Sequence, residues 1–175
     1  MAQFGQICNE VTLLVRAIKG GASGGTFASM LNAIEQAQND RKIARILADP
    51  YSLNPDGERN GPDGGDQKGM RYNARAGVWT APFVMAAVNT RIVRRSNALL
   101  DYRYGRDFRY SEATSTGRGL VGWWRSAVMT GGLACFLLAC TYDVTRSNIV
   151  KRLIPAPGQG PSRQQRERGY FDLRL

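Results

Sequence analysis

Apolar positions change their spacing several times along this chain, and each change marks a predicted element. Val11-Thr12-Leu13-Leu14-Val15-Arg16-Ala17-Ile18 is dense in β-branched and apolar residues and reads as a mostly buried strand. Beyond it Phe27, Met30, Leu31 and Ile34 fall at i, i+3, i+4 and i+7, one apolar stripe of a helix. Thr26 can cap that helix through its hydroxyl, or Ser23 can if the helix begins earlier. Arg41 to Ala48 continues as a second helical piece, which Asp49-Pro50 stops. From Asp56 to Gly69 the pattern vanishes: five glycines, a proline and no sizeable apolar side chain predict a flexible, solvated insertion at 56–69.

Structure resumes at Val78-Trp79-Thr80-Ala81, and Pro82 suits the start of a helix that Phe83, Ala86, Ala87, Ile92 and Val93 carry to about Leu100. Phe108 to Ala113 alternates in part as a strand does. Leu120 to Ala139 is apolar except for Arg125, Ser126 and Thr130. Its least interrupted part, Ala127 to Cys140, has the length of a buried or membrane-touching helix, because a true span needs about 20 apolar residues and would carry Arg125 into lipid. Trp123 and Trp124 would suit a membrane interface, and Lys151 with Arg152 a cytoplasmic flank. Residues 155–162 form a linker-like turn, and Tyr170 to Leu175 again alternates as a strand. The sum is an α/β (α+β) fold, a mixed sheet with packed helices in a single domain, 1–175.

Composition narrows the chemistry. A chain of 175 residues can bury roughly 70% of its unfolded surface without staples. Cys135 and Cys140 sit in an apolar run and read with Cys8 as thiols of a reducing compartment, the first two buried. The chain has no histidine, which removes imidazole triads, and the cysteines lack the second pair a zinc site needs. Net charge is +10, yet the basic residues are spread from Arg16 to Arg174 without a nucleic-acid motif, so a solvated surface is expected and no specific nucleic-acid partner. Met1 to Glu10 lacks the apolar core of a secretory signal, which points to a cytoplasmic protein.

Two places could carry function. Gly20-Gly21-Ala22-Ser23-Gly24-Gly25-Thr26 joins the first strand to the first helix. Its free amides and the hydroxyls of Ser23 and Thr26 could cradle an anion, or its glycines could simply permit a tight turn. It matches neither G-x-G-x-x-G nor a P-loop. On the later elements Asn89, Arg91 and Ser96 are candidates for substrate contact, against the alternative of an exposed helix face. Glu112 is the best single carboxylate for acid/base work, against the alternative of a salt bridge at a strand edge.

Gly20 to Thr26, Asp49-Pro50-Tyr51-Ser52-Leu53, Trp79 to Ser96, Tyr104 to Glu112 and Pro157 to Ser162, in that order, resemble the saccharopine dehydrogenase-like oxidoreductases, in particular the branch of bacterial trans-acting enoyl reductases. The resemblance implies the substrate-domain half of a Rossmann-type oxidoreductase, lacking the Rossmann domain, and therefore a truncated substrate and dimerisation-like domain. Full-length relatives would use NADPH or NADH; this chain alone would bind no cofactor and would not be active alone. The resemblance further implies a lipid or acyl substrate, lipid or glycolipid metabolism, and a homodimer. It assigns no catalytic residue, and leaves Ser23, Thr26, Asn89, Arg91 and Glu112 as substrate-binding candidates. A non-catalytic protein anchored to a membrane or lipid droplet through 120–140 is the alternative.

Overall fold

The computed structural model describes residues 8–20, 23–142, 145 and 158–175. Gly21 and Ala22 of the glycine joint, Lys151, Arg152 and positions 155–157 of the expected linker lie outside the described residues. Strand β1 (Glu10–Lys19) leads into α1 (Gly24–Asn39), whose cap is Ser23: its hydroxyl accepts from the Thr26 amide at 3.3 Å. Helix α2 (Arg41–Ala48) is capped by Asp40, whose carboxylate accepts from the Lys42 amide at 2.7 Å, and ends before Asp49-Pro50 as expected. A β-hairpin follows, β2 (Arg71–Asn73) with β3 (Val78–Pro82), then α3 (Ala86–Leu99) and β4 (Arg109–Gly117). Helix α4 (Gly119–Thr141), the short α5 (Arg163–Glu167) and β5 (Tyr170–Arg174) complete the described chain.

The fold is α/β: one mixed sheet in the order β2-β3-β4-β1-β5, with helices packed on it. β1 and β4 are parallel neighbours at the centre, with Leu13 opposite Glu112 and Val15 opposite Thr114. Parallel neighbours need a long crossover, here everything from α1 to α3. β3 pairs antiparallel to β4, and β5 antiparallel to β1, which gives the carboxyl-terminal strand its partner.

Several expectations are corrected. Pro82 closes β3 instead of opening a helix: it stands at the end of the strand, opposite Ala113, where a missing N–H is tolerated, and α3 begins at Ala86. The expected strand end at Ala113 is extended to Gly117 by Thr114-Ser115-Thr116, polar residues of which two are β-branched. Helix α4 is longer than the 127–140 piece and only Gly122, Ser126 and Cys140 are buried in it, so it is not a core helix. Leu120 and Trp124 in its first half are 86% and 63% exposed. Cys135, expected buried, is exposed for the same reason, while Cys140 packs with Leu31, Ile34, Phe136 and Ala139 where α1 meets α4.

Both α3 and α4 lie over the sheet face that carries Glu112, Thr114 and Thr116, since side chains two apart on a strand share a face. Asn89 of α3 donates to Glu112, and Thr116 Oγ1 lies 2.9 Å from the carbonyls of both Trp79 and Gly122 at the start of α4. Ser126 donates to the Thr80 carbonyl at 2.7 Å, a second pin between α4 and β3. The opposite face, with Thr12, Ser111 and Ser115, carries no helix among the described residues. The chain exposes 12061 Å², whereas a compact monomer of 19.3 kDa exposes roughly 8,500 Å².

Candidate functional site

Two features occupy the helix-covered side of the sheet: a buried polar network under α3, and an apolar cleft under α4. The network starts from arginines spaced three apart on α3. Arg94 donates through Nε to Asp63 at 2.8 Å and through Nη1 to the Pro50 carbonyl at 3.1 Å, and lies over the Tyr51 ring at 5.4 Å. Arg91 donates to Asp66 at 3.0 Å and to the Leu47 carbonyl at 2.8 Å. Thr90 Oγ1 lies 2.7 Å from both Asp66 and the Ala86 carbonyl. The two carboxylates come from the segment 56–69, which has no helix or strand but sends Asp63 and Asp66 inward against α3. The Tyr51 hydroxyl accepts from the Asp63 amide at 3.0 Å, and burial pushes its phenol above the ordinary range.

Glu112 is 3% exposed and has both oxygens engaged: Asn89 donates to one and the Tyr110 hydroxyl to the other, each at 2.9 Å. The salt bridge at a strand edge is therefore corrected, because β4 is an inner strand and the partners of Glu112 are uncharged. Burial first, then the bond to Glu112, raises the Tyr110 phenol well above its ordinary value. The folded chain then keeps that proton at a pH where the unfolded chain has lost it. This stabilisation is complete below about pH 10 and is lost as the pH rises further. Tyr110→Phe is expected to flatten the fall of Tm between about pH 9 and 11, and to cost about 1–3 kcal/mol at neutral pH by orphaning a Glu112 oxygen. Parallel Tm profiles for the two proteins, measured by circular dichroism, would contradict this.

Of the five sequence candidates, the structure joins only Asn89 with Glu112 and Ser23 with Thr26. Ser23 and Thr26 hydroxyls lie 3.0 Å apart at the α1 cap, and the Gly24 amide donates to the Gln159 carbonyl at 2.8 Å. The described part of the glycine joint is thus engaged by the chain itself. Arg91 is engaged inside the protein, and Ser96 is exposed on α3.

The feature absent from the sequence reading is the cleft, about 670 Å³, between β1, β4, the β3–α3 connection and α4. Val15, Phe83, Val128, Met129 and Leu133 supply apolar walls, with Trp124 and Arg125 from the first half of α4 and Thr114 from the sheet. Glu112 precedes Thr114 by two residues on the same strand face, about 7 Å away. The signal for it was the all-round apolar character of α4, read as burial but serving to roof an open hollow.

A mixed-sheet α/β domain with an apolar hollow near a buried carboxylate fits a binding class without naming a ligand. Comparison with known proteins sharpens it. The chain is 49% identical over 172 residues to a Mycobacterium tuberculosis protein provisionally named trans-acting enoyl reductase, covering 94% of this chain and 41% of that protein. It is 40% identical to the trans-acting enoyl reductase of Mycobacterium ulcerans, covering 93% of this chain and 41% of the relative. The Mycobacterium bovis enzyme of that name is 38% identical, covering 95% and 42%. The chain is therefore homologous to trans-acting enoyl reductases and spans about two fifths of their length. No family model matches, so the wider saccharopine dehydrogenase-like grouping stays a resemblance, and no solved structure matches.

Proposed function

We propose that this chain is the acyl-binding part of a nicotinamide-dependent enoyl reductase, a protein that reduces the carbon–carbon double bond of a lipid-like acyl chain. The observation that carries the proposal is the cleft: its volume lies within the roughly 300–1,000 Å³ of small-molecule sites, and its walls suit an alkyl or alkenyl chain. The names and identities of the mycobacterial relatives supply the reaction class. The nicotinamide cofactor is assigned to the full-length relatives, whose name as enoyl reductases calls for a hydride donor. Hydride donation is the chemistry such a cofactor supplies. What the present residues offer is an open apolar trough, with Val15, Phe83 and Leu133 among its walls, along which such a chain lies. The large exposed area fits a unit that works against a further layer of protein.

Trp124 provides the test. A trans-2-enoyl thioester with a chain of about ten carbons is expected to alter tryptophan emission on saturable binding, with Trp124→Phe removing most of the change. Leu133→Trp, which fills the cleft, is expected to weaken binding at least about tenfold, the equivalent of some 1.4 kcal/mol. Unchanged affinity in Leu133→Trp would overturn the assignment. Titration of NADPH against this chain is expected to give no saturable signal.

A second reading rests on α4, 23 residues long with a mean hydropathy of 1.2 in its most apolar window and 11% of that window buried. In that reading α4 holds a non-catalytic protein on a membrane or lipid droplet. Flotation with phosphatidylcholine vesicles separates the two: α4 roofing a cleft leaves the protein at the bottom of the gradient, and α4 in lipid carries it up.

A further inference from the structure

We propose that the sheet face left open by the described helices binds a phosphate group, in a pocket of about 320 Å³ lined by Arg16, Arg118 and Arg174. The three come from separate places in the chain: Arg16 from β1, Arg118 from the corner between β4 and α4, and Arg174 from the end of β5. Ser115 and Gly117 of β4 and Leu14 of β1 complete most of the wall, and no aspartate or glutamate among the described residues lines it. Arg16 has one carboxylate nearby, Asp172 at 3.6 Å, and both side chains of that pair are largely exposed. Arg118 and Arg174 meet no carboxylate among the described residues. Like charges lining one hollow repel each other unless an anion lies between them, and Asp172 answers only Arg16. The planar guanidinium forks match the oxygens of phosphate, and two from different strands can hold it from two sides.

The pocket is extended along the same face. Leu14 and Arg174 also border a neighbouring hollow that contains Glu10, Thr12 and Arg75, where Arg75 is neutralised by Glu10 at 2.7 Å. The unneutralised charge is thus concentrated at the Arg118 and Arg174 end, and the rest of a phosphate-bearing molecule has a polar groove to follow. This site is separate from the acyl cleft in its ligand chemistry and lies on the other side of the sheet, with Arg16, at the register shift between Val15 and Ala17, on the border of both. The proposal stands without the enoyl reductase reading.

Isothermal titration of the full chain with inorganic pyrophosphate tests it, beside flotation with vesicles of phosphatidylglycerol in phosphatidylcholine, which presents the same phosphate on a lipid. Saturable binding is expected, weakened about tenfold by Arg118→Gln and again by Arg174→Gln, because each removes a charge-assisted pair. Arg118→Lys keeps the charge without the fork and is expected to recover only part of the affinity. Arg103→Gln, an exposed arginine remote from this wall in sequence, removes the same charge and is expected to leave affinity unchanged. These exposed positions leave folding intact, which circular dichroism checks. Binding of either source that depends on Arg118 and Arg174 supports the site, and the tighter of the two identifies the source. Absence of saturable binding to both, or an equal loss in Arg103→Gln, overturns it.

Discussion

Arg94→Met is expected to cost about 3–5 kcal/mol of stability, because it strips the partner from a buried carboxylate. The Arg94 and Asp63 side chains are 4% and 9% exposed, so Asp63 has little water to turn to. Arg94 also meets the Pro50 carbonyl, Thr90 and the Tyr110 carbonyl, and so ties the 49–66 segment, α3 and β4 together. Arg94→Lys keeps the charge but offers one nitrogen where three donate, and should lose most of the same energy. Urea unfolding followed by circular dichroism measures both. The double variant Arg94→Met with Asp63→Leu is expected to be more stable than Arg94→Met alone, since no buried charge is then left unpaired. A loss below about 1 kcal/mol for Arg94→Met would show the network to be as weak as a surface ion pair.

Gly122→Val should be comparably damaging for a steric reason. A Cβ at Gly122 would lie 2.3 Å from the Gly117 carbonyl oxygen, a backbone atom that cannot rotate away. Gly117 itself holds φ +104°, the conformation that lets β4 turn directly into α4. Adding a side chain at Gly122 therefore lifts α4 off β4, breaks the Thr116 contact with the Gly122 carbonyl and opens the cleft roof. The expected cost is at least about 3 kcal/mol, the upper end of overpacking, with acyl binding lost beside it. Gly131→Ala and Gly132→Ala are the controls on the same helix: nothing lies within 4 Å of either added Cβ, and each is expected to gain about 0.5–1 kcal/mol from helix propensity. Equal effects at Gly122 and Gly131, read by thermal unfolding, would contradict the close approach.

Much of this architecture is written in local patterns. The β-branched run in β1, the Leu31 and Ile34 stripe of α1 and the stop at Asp49-Pro50 are each decided by neighbours in sequence, and each was legible. Pro82 was not, because a proline suits a helix start and a strand end equally well, and only pairing with Ala113 decides between them. β2 is three residues long and stands by cross-strand partners alone. The site was less legible than the fold for one physical reason. Asp63 and Asp66 sit in a glycine-rich stretch that looks solvated, and their capture by Arg94 and Arg91 is a contact between segments about thirty residues apart or a little less. Asn89 and Glu112 were singled out separately; their hydrogen bond is a tertiary fact. The cleft has no sequence signature beyond the excess of apolar residues in α4, which is also the signature of burial.

Photolabelling tests the central assignment most directly. An enoyl thioester carrying a diazirine at the end of its chain, irradiated with the protein and mapped by mass spectrometry, is predicted to mark Val15, Val128, Met129 or Leu133, with labelling suppressed by excess unlabelled thioester and by Leu133→Trp. Labelling confined to the outer face of α4 at Leu120 and Leu138, or labelling insensitive to both competitors, would contradict an acyl-binding cleft.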